Sequence, residues 1–384
     1  MGHTGLVQST DPGTTATSPS TPVLSRLRGI DMARCVAIIG MVMVHIGPQD
    51  LTGGGFVGAA YRSSHGRSAI LFIVLAGIGV SLLSGWSARG AGSDAGDLRP
   101  NTPRPGTTAR LWWRALILLP AGLMLQSLPT NVAVILQYYA VYFVVASGLM
   151  RLGDRALLAV AASSATLGPV VLVWLQQTAP TLFQPGVPEW NDVARIARDI
   201  LVTGYYPVIV WTAPLSIGIW LGRRGLRDVD IAGQLLVGGA SAAAAGFLLS
   251  DALVGAFGTA ASDADWRQLA MIEPHNEMPL WVLTATGIAV AIVGCCLLLA
   301  HALPRVVWPL TAFGQLAFSV YVLHILVLGV QPEWLVRDDF IPAWISVARF
   351  TVISVALATA YRAMASRGPF ELLLHAPRQR PEMR

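Results

Sequence analysis

Apolar residues in this chain neither alternate with polar ones nor recur as a helical stripe; they run together in long blocks separated by short polar or Gly/Pro-rich stretches. Ten such blocks lie near 33–49, 66–87, 111–128, 130–150, 156–175, 200–221, 231–250, 279–300, 308–330 and 343–364. Each is close to the ~20 residues a helix needs to cross a hydrocarbon core about 30 Å thick. The pattern predicts an all-α fold, a polytopic integral membrane protein with about ten transmembrane helices. Residues 1–25, rich in Ser, Thr, Pro and Gly, read as a disordered tail. They contain no apolar h-region, so the span that follows Arg26 and Arg28 is expected to be retained. Residues 26–367 form the membrane domain and 368–384 a basic tail. A tight hairpin is expected at Pro129. No internal repeat is visible.

Composition agrees with a lipid solvent. The chain is 54% hydrophobic and only 12% charged, against about 25% for ordinary soluble domains. All 26 basic residues are arginine, so no lysine is present to form a Schiff base or act as general base. Their distribution sets the orientation. With the N-terminus inside, 19 of the 26 fall in cytoplasmic segments and seven on the other side, which predicts that both termini are cytoplasmic. The net charge of +5 is spread over short loops, which excludes a nucleic-acid-binding face. On the outer side, loops 176–199 and 251–278 are placed to cap a cavity; the inner loop 88–110 reads as flexible. Cys35, Cys295 and Cys296 lie in apolar runs and read as small hydrophobes.

Ionisable residues at membrane depth are costly, which makes each one a functional candidate. Under this topology His45, His65, His275 and His324 all fall at outer ends of spans. One at a time, such histidines can be interfacial residues; four on one side form a pattern. Arg34 and His45 are 11 residues apart, three helical turns plus about 20°. They share one stripe, roughly 16 Å apart along the axis, and Asp31 stands one turn before Arg34 to pair with it. A cation at the inner end suits a phosphate-bearing ligand; an imidazole at the outer end suits proton transfer. Asp31 and Arg34 also fit a plain positive-inside anchor. Arg67, close to His65, favours the neutral imidazole. Tyr205, Tyr206 and Trp211 fit either a kinked aromatic entry or an interfacial belt. Tyr321 and His324 share a face. Glu273, His275, Asn276 and Glu277 form a polar set whose spacing matches no strong metal signature, so no metal is expected.

The stretch Arg26-Leu-Arg-Gly-Ile-Asp-Met-Ala-Arg34, continuing to Gly40-Met-Val-Met-Val-His45, resembles the first span of transmembrane acyltransferases. The likeness is nearest to bacterial relatives of heparan-α-glucosaminide N-acetyltransferase, within an acyltransferase-three-like superfamily. It continues through His65-Gly-Arg-Ser-Ala-Ile-Leu-Phe72, Leu75-Ala-Gly-Ile-Gly79, Tyr206-Pro-Val-Ile-Val-Trp211, Pro274-His-Asn276, Pro279-Leu-Trp-Val-Leu283, Tyr321-Val-Leu-His324 and Gly368-Pro-Phe-Glu371. Each motif is loose; their order is more specific. Cys35 stands where a glycine is usual, and His45 and His65 are further apart than in the animal enzyme.

The resemblance implies a membrane acyltransferase that moves an acyl group, most simply acetyl, from cytoplasmic acyl-CoA to an extracytoplasmic sugar or glycolipid. His45 and His65 are then the catalytic candidates, as general base or transient acyl carrier. Arg28, Arg34, Arg110, Arg114, Arg223 and Arg224 are candidates for the donor's phosphates, and Arg67, Tyr206, Trp211, His275, Tyr321 and His324 for the acceptor. The implied partners are membrane lipid, the acetyl-CoA donor and the acceptor, with no nucleic acid and with a homodimer left open; the implied location is a bacterial plasma membrane. Polar stripes in polytopic chains also suit a transporter or flippase. Against that stand the lack of any carboxylate in mid-span and of a repeated pair of broken spans.

Overall fold

The computed structural model describes residues 2, 26–48, 53–85, 103–183 and 192–375. Most of the expected N-terminal tail, residues 88–102 of the inner loop and the tail beyond 375 lie outside them. Every regular element among the described residues is helical: α1 (Arg28–Ile46), α2 (Gly55–Arg62), α3 (Arg67–Ser84), α4 (Thr107–Gln126), α5 (Leu136–Leu149), α6 (Asp154–Thr178), α7 (Val193–Arg198), α8 (Val208–Leu221), α9 (Val229–Phe257), α10 (Pro279–Ala302), α11 (Trp308–Gly314), α12 (Ala317–Val330), α13 (Phe340–Met364) and α14 (Pro369–Leu373). Six of the resulting rods are long and apolar enough to cross a membrane: α1, the α2–α3 unit, α6, α9, α10 and α13. The number reaches eight if α7–α8 and α11–α12, bent by 55° and 69°, each count as one span. The other two expected spans coincide with α4 and α5, which are not in that set. α4 carries Arg110, Arg114 and Pro120, and α5 has only 14 residues, about 21 Å of helix.

α1 is the central rod. It touches α3, α10, α11, α12 and α13, and 72% of its most apolar window is buried, against 17% for α9 and for α13. Its sequence explains this: apolar or small residues occupy every side between Cys35 and Val44, the mark of a helix surrounded by protein. α9 and α13 instead present Val237, Leu248, Val352 and Leu357 outward, faces that lipid would cover. Lipid gives helices no hydrophobic reason to associate, so close packing and polar bonds must hold them. Gly77 and Gly218 let α3 and α8 meet backbone to backbone: a Cβ on Gly218 would stand 2.2 Å from the Val74 carbonyl oxygen. The Leu75–Gly79 motif is thus a packing motif at Gly77.

The hairpin expected at Pro129 is longer than the pattern suggested. Helix resumes only at Leu136, and residues 130–135 run without regular structure. Their polar backbone is satisfied by side chains. Gln126 donates to the Val132 carbonyl at 3.1 Å and accepts from the Val134 N–H at 2.9 Å. The Tyr321 hydroxyl accepts from the Ile135 N–H at 3.2 Å. Irregular backbone in a membrane bundle is tolerated where protein satisfies it in this way.

Candidate active site

The end of α1 that carries His45 is where the polar residues gather. His45 Nδ1 lies 2.9 Å from His324 Nε2 on α12, and the two rings are nearly coplanar, at 4°. His324 is 1% exposed, and its Nδ1 faces the Val320 carbonyl at 3.2 Å. His65, in the turn between α2 and α3, and His275, in the loop before α10, complete the group. Charge on either is felt at His45. At the Gly66 turn, the Cβ position is 3.6 Å from His275 Cδ2. Four histidines spread over 280 residues of chain therefore share one neighbourhood. Tyr321 packs edge-on against His324 at 5.0 Å, and Tyr61 anchors the site by donating its hydroxyl to the Met43 carbonyl.

An aromatic wall adjoins the histidines. Tyr206 meets Trp211 at 5.0 Å and His275 at 5.9 Å, and Trp211 meets Trp281 at 5.9 Å. Trp211 is fully buried and Tyr206 nearly so, whereas Tyr205 is 64% exposed. Tyr206 and Trp211 are thus interior residues rather than a belt. Behind them lies Glu277, 6% exposed, which accepts a hydrogen bond from the Trp211 indole. Its Oε1 is buried with no hydrogen-bond partner and sits 3.9 Å from His275 Nδ1. His275 and Glu277 both have positive φ, 61° and 60°, a strained conformation for these residue types. Burial pushes the Glu277 carboxyl up, against the pull of the Trp211 N–H. Burial, reinforced by His65, pushes His275 down to about 4. A cavity of about 200 Å3 opens onto His275, Asn276 and Glu277, with Gln176, Thr203 and Asp263 among its other polar lining residues. Among the described residues no group of three or more His, Cys, Asp or Glu is arranged to hold a metal ion.

The opposite end of α1 carries the cations. Asp31, 1% exposed, accepts from Arg26 at 2.6 Å, Arg34 at 2.7 Å and Gln315 at 3.2 Å. Gln315 stands at the bend between α11 and α12 and in turn accepts from Arg362 at 2.7 Å. Arg34 and Arg110 lie within electrostatic reach of Arg114, whose Nε is buried without a partner and whose guanidinium lies 5.8 Å from the Phe143 ring. Among the described residues Asp31 is the carboxylate that pairs with Arg34, and it is shared with Arg26, so positive charge is in excess here, a fit for phosphate. Arg28 donates to the Pro304 carbonyl. Arg223 and Arg224 are engaged elsewhere. Both clamp Asp154 at the start of α6, and Arg223 also caps the Met150 and Leu152 carbonyls. Arg67 lies over Phe247 and donates to the Ser63 carbonyl, next to the histidines.

Gln126 and Gln315 carry parts of this arrangement that the sequence did not single out, and Trp281 stood in the Pro279–Leu283 motif without a role of its own. Glu277 belonged to a polar set visible before the eighth apolar block. The Gln315 bend follows Gly314 with no proline to announce it. Residues 26–250, more than half of the 384-residue chain, match the family model of the heparan-alpha-glucosaminide N-acetyltransferase catalytic domain. Residues 239–378 match the model of a protein family of unknown function (DUF418). No curated protein matches the chain. His45, His65, Tyr206 and Trp211 fall in the first match, and His275, Glu277, Tyr321 and His324 in the second.

Proposed function

We propose that this chain, which belongs to the heparan-alpha-glucosaminide N-acetyltransferase catalytic family, transfers an acetyl group from cytoplasmic acetyl-CoA to a hydroxyl or amine presented on the other side of the membrane. One observation carries the reading. A single buried helix, α1, holds Arg34 and its unsaturated cationic surroundings at one end and His45 in a cluster of four histidines at the other. Donor phosphates and acceptor chemistry need such separated, opposite environments.

In this account the arginine end faces the cytoplasm, in line with the arginine bias of the loops. Arg34, Arg110 and Arg114 hold the phosphates, with Arg28 nearer the surface. The thioester then lies along α1 toward His45. The acceptor occupies the cavity at His275 and Glu277, and an imidazole, His45 or His65, removes its proton as it attacks the thioester carbonyl. The family match favours this chemistry over a transporter, which the polar stripe alone would also suit.

The test is acetyl transfer by purified protein in membranes. His45→Ala and His65→Ala are expected to insert normally and to lose activity, by about 10²- to 10⁴-fold for whichever is the base. Full activity in both variants would overturn the catalytic assignment.

A further inference from the structure

The contact between His45 and His324 has a direction that hydrogen-bonding rules determine. A carbonyl oxygen can only accept, so the ring nitrogen facing the Val320 carbonyl, His324 Nδ1, carries a hydrogen. A neutral imidazole has one N–H, which leaves a lone pair on His324 Nε2. The nitrogen that faces it at 2.9 Å, His45 Nδ1, must then be the donor. A second proton on either ring would bury a charge, and among the described residues neither ring has a carboxylate partner. The free lone pair of His45 consequently lies on Nε2, the nitrogen turned away from His324.

We propose that His324 is a positioning residue that locks His45 in its Nδ1–H tautomer and so makes His45 Nε2 the reacting nitrogen. The proposal rests on the reading of the chain as an acyltransferase. The acceptor's N–H or O–H proton passes to His45 Nε2 as its nitrogen or oxygen bonds to the thioester carbonyl carbon. The C–S bond breaks, the electron pair leaves on sulfur, and Nε2–H returns the proton to the thiolate. Between these steps His45 is a cation whose Nδ1–H points at the His324 lone pair, with the Val320 carbonyl behind it. That chain of acceptors stabilises the transient charge as a carboxylate does in other histidine pairs. His324 itself neither gains nor loses a proton. Coplanarity within 4° and near-complete burial of His324 keep the pair aligned.

Substitutions at 324 separate positioning from packing. His324→Leu fills the space without an acceptor and is expected to lower kcat about 10- to 100-fold, the scale for outer partners that orient a working imidazole, with KM for acetyl-CoA unchanged. His324→Gln, whose amide accepts from His45 and donates to Val320, is expected to restore kcat to within a few-fold. Full activity of the leucine variant, or equal loss in both variants, overturns the proposal. Nitrogen-15 NMR of histidine-labelled protein reads the tautomer without turnover. His45 is expected to show a protonated Nδ1 in the wild type and a mixture in His324→Leu; a protonated Nε2 in the wild type overturns the proposal. If His45→Ala stays active while the tautomer is as stated, His45 is not the reacting base and the proposal is overturned; absence of transfer by the wild type, with the tautomer as stated, overturns the acyltransferase reading instead.

Discussion

At the scale of single residues, the site is defined by polar groups whose burial is only partly compensated. His275 and Glu277 illustrate it, with Nδ1 and Oε1 left 3.9 Å apart and neither hydrogen-bonded. Under the proposed function, an acceptor hydroxyl or amine placed between the two would satisfy both. The arrangement also makes stability depend on pH in a stated direction. An imidazole titrates near 6.5 when free, and His275 near 4 in the fold. Between those values the unfolded chain holds the extra proton, so His275 makes stability rise with pH across that window. That contribution is complete above 6.5 and lost on acidification toward 4. His275→Asn should flatten the melting-temperature profile between pH 4 and 6.5, read by thermal unfolding in detergent. Glu277 acts oppositely, because its raised carboxyl opposes ionisation in the fold. Glu277→Gln keeps an acceptor for the Trp211 indole and should leave the protein at least as stable at pH 7.

At the scale of elements, most of the helices were legible in the sequence, because a membrane demands long unbroken apolar runs and nothing else in the chain imitates them. Each of the ten expected blocks overlaps a helix among the described residues. What was not legible is where helices break. Residues 130–135 read as the start of a span but are irregular, since Gln126 and Tyr321, one of them nearly 200 residues distant, satisfy their backbone. A local pattern carries no record of such partners. The bend at Gln315 is similar, held by Asp31 and Arg362 from other elements. Gln126→Ala would leave the Val132 carbonyl and the Val134 N–H unpaired, at about 1–3 kcal/mol each. A matching fall in thermal stability is expected, with loss of transfer activity, because the freed segment adjoins Tyr206 and Tyr321.

At the scale of the whole molecule, the candidate site was legible in parts and not as a whole. The Arg34–His45 stripe followed from helical spacing, and the likeness to the acyltransferases followed from the order of motifs. The direct bond from His45 to His324 joins residues 279 positions apart and depends on how α12 packs on α1, which periodicity does not reveal. The six arginines grouped by sequence divide in space. Arg34, Arg110 and Arg114 share one electrostatic neighbourhood, whereas Arg223 and Arg224 tie α8 to the start of α6 through Asp154. Arg34→Ala is therefore expected to raise KM for acetyl-CoA about 10- to 100-fold, the worth of one charge-assisted hydrogen bond. Arg223→Ala should lower the melting temperature and leave that KM unchanged. Steady-state kinetics and thermal unfolding on the two variants distinguish the roles.

The central claim is that one helix carries an acetyl group's donor at one membrane face and its acceptor chemistry at the other. Sealed proteoliposomes containing the purified chain test it most directly, with radiolabelled acetyl-CoA added only outside and glucosamine, as the probe acceptor, trapped only inside. The account predicts labelled N-acetylglucosamine in the lumen with the wild-type chain and none above background with His45→Ala. Absence of label with the wild type, or equal label with the histidine variant, would contradict it.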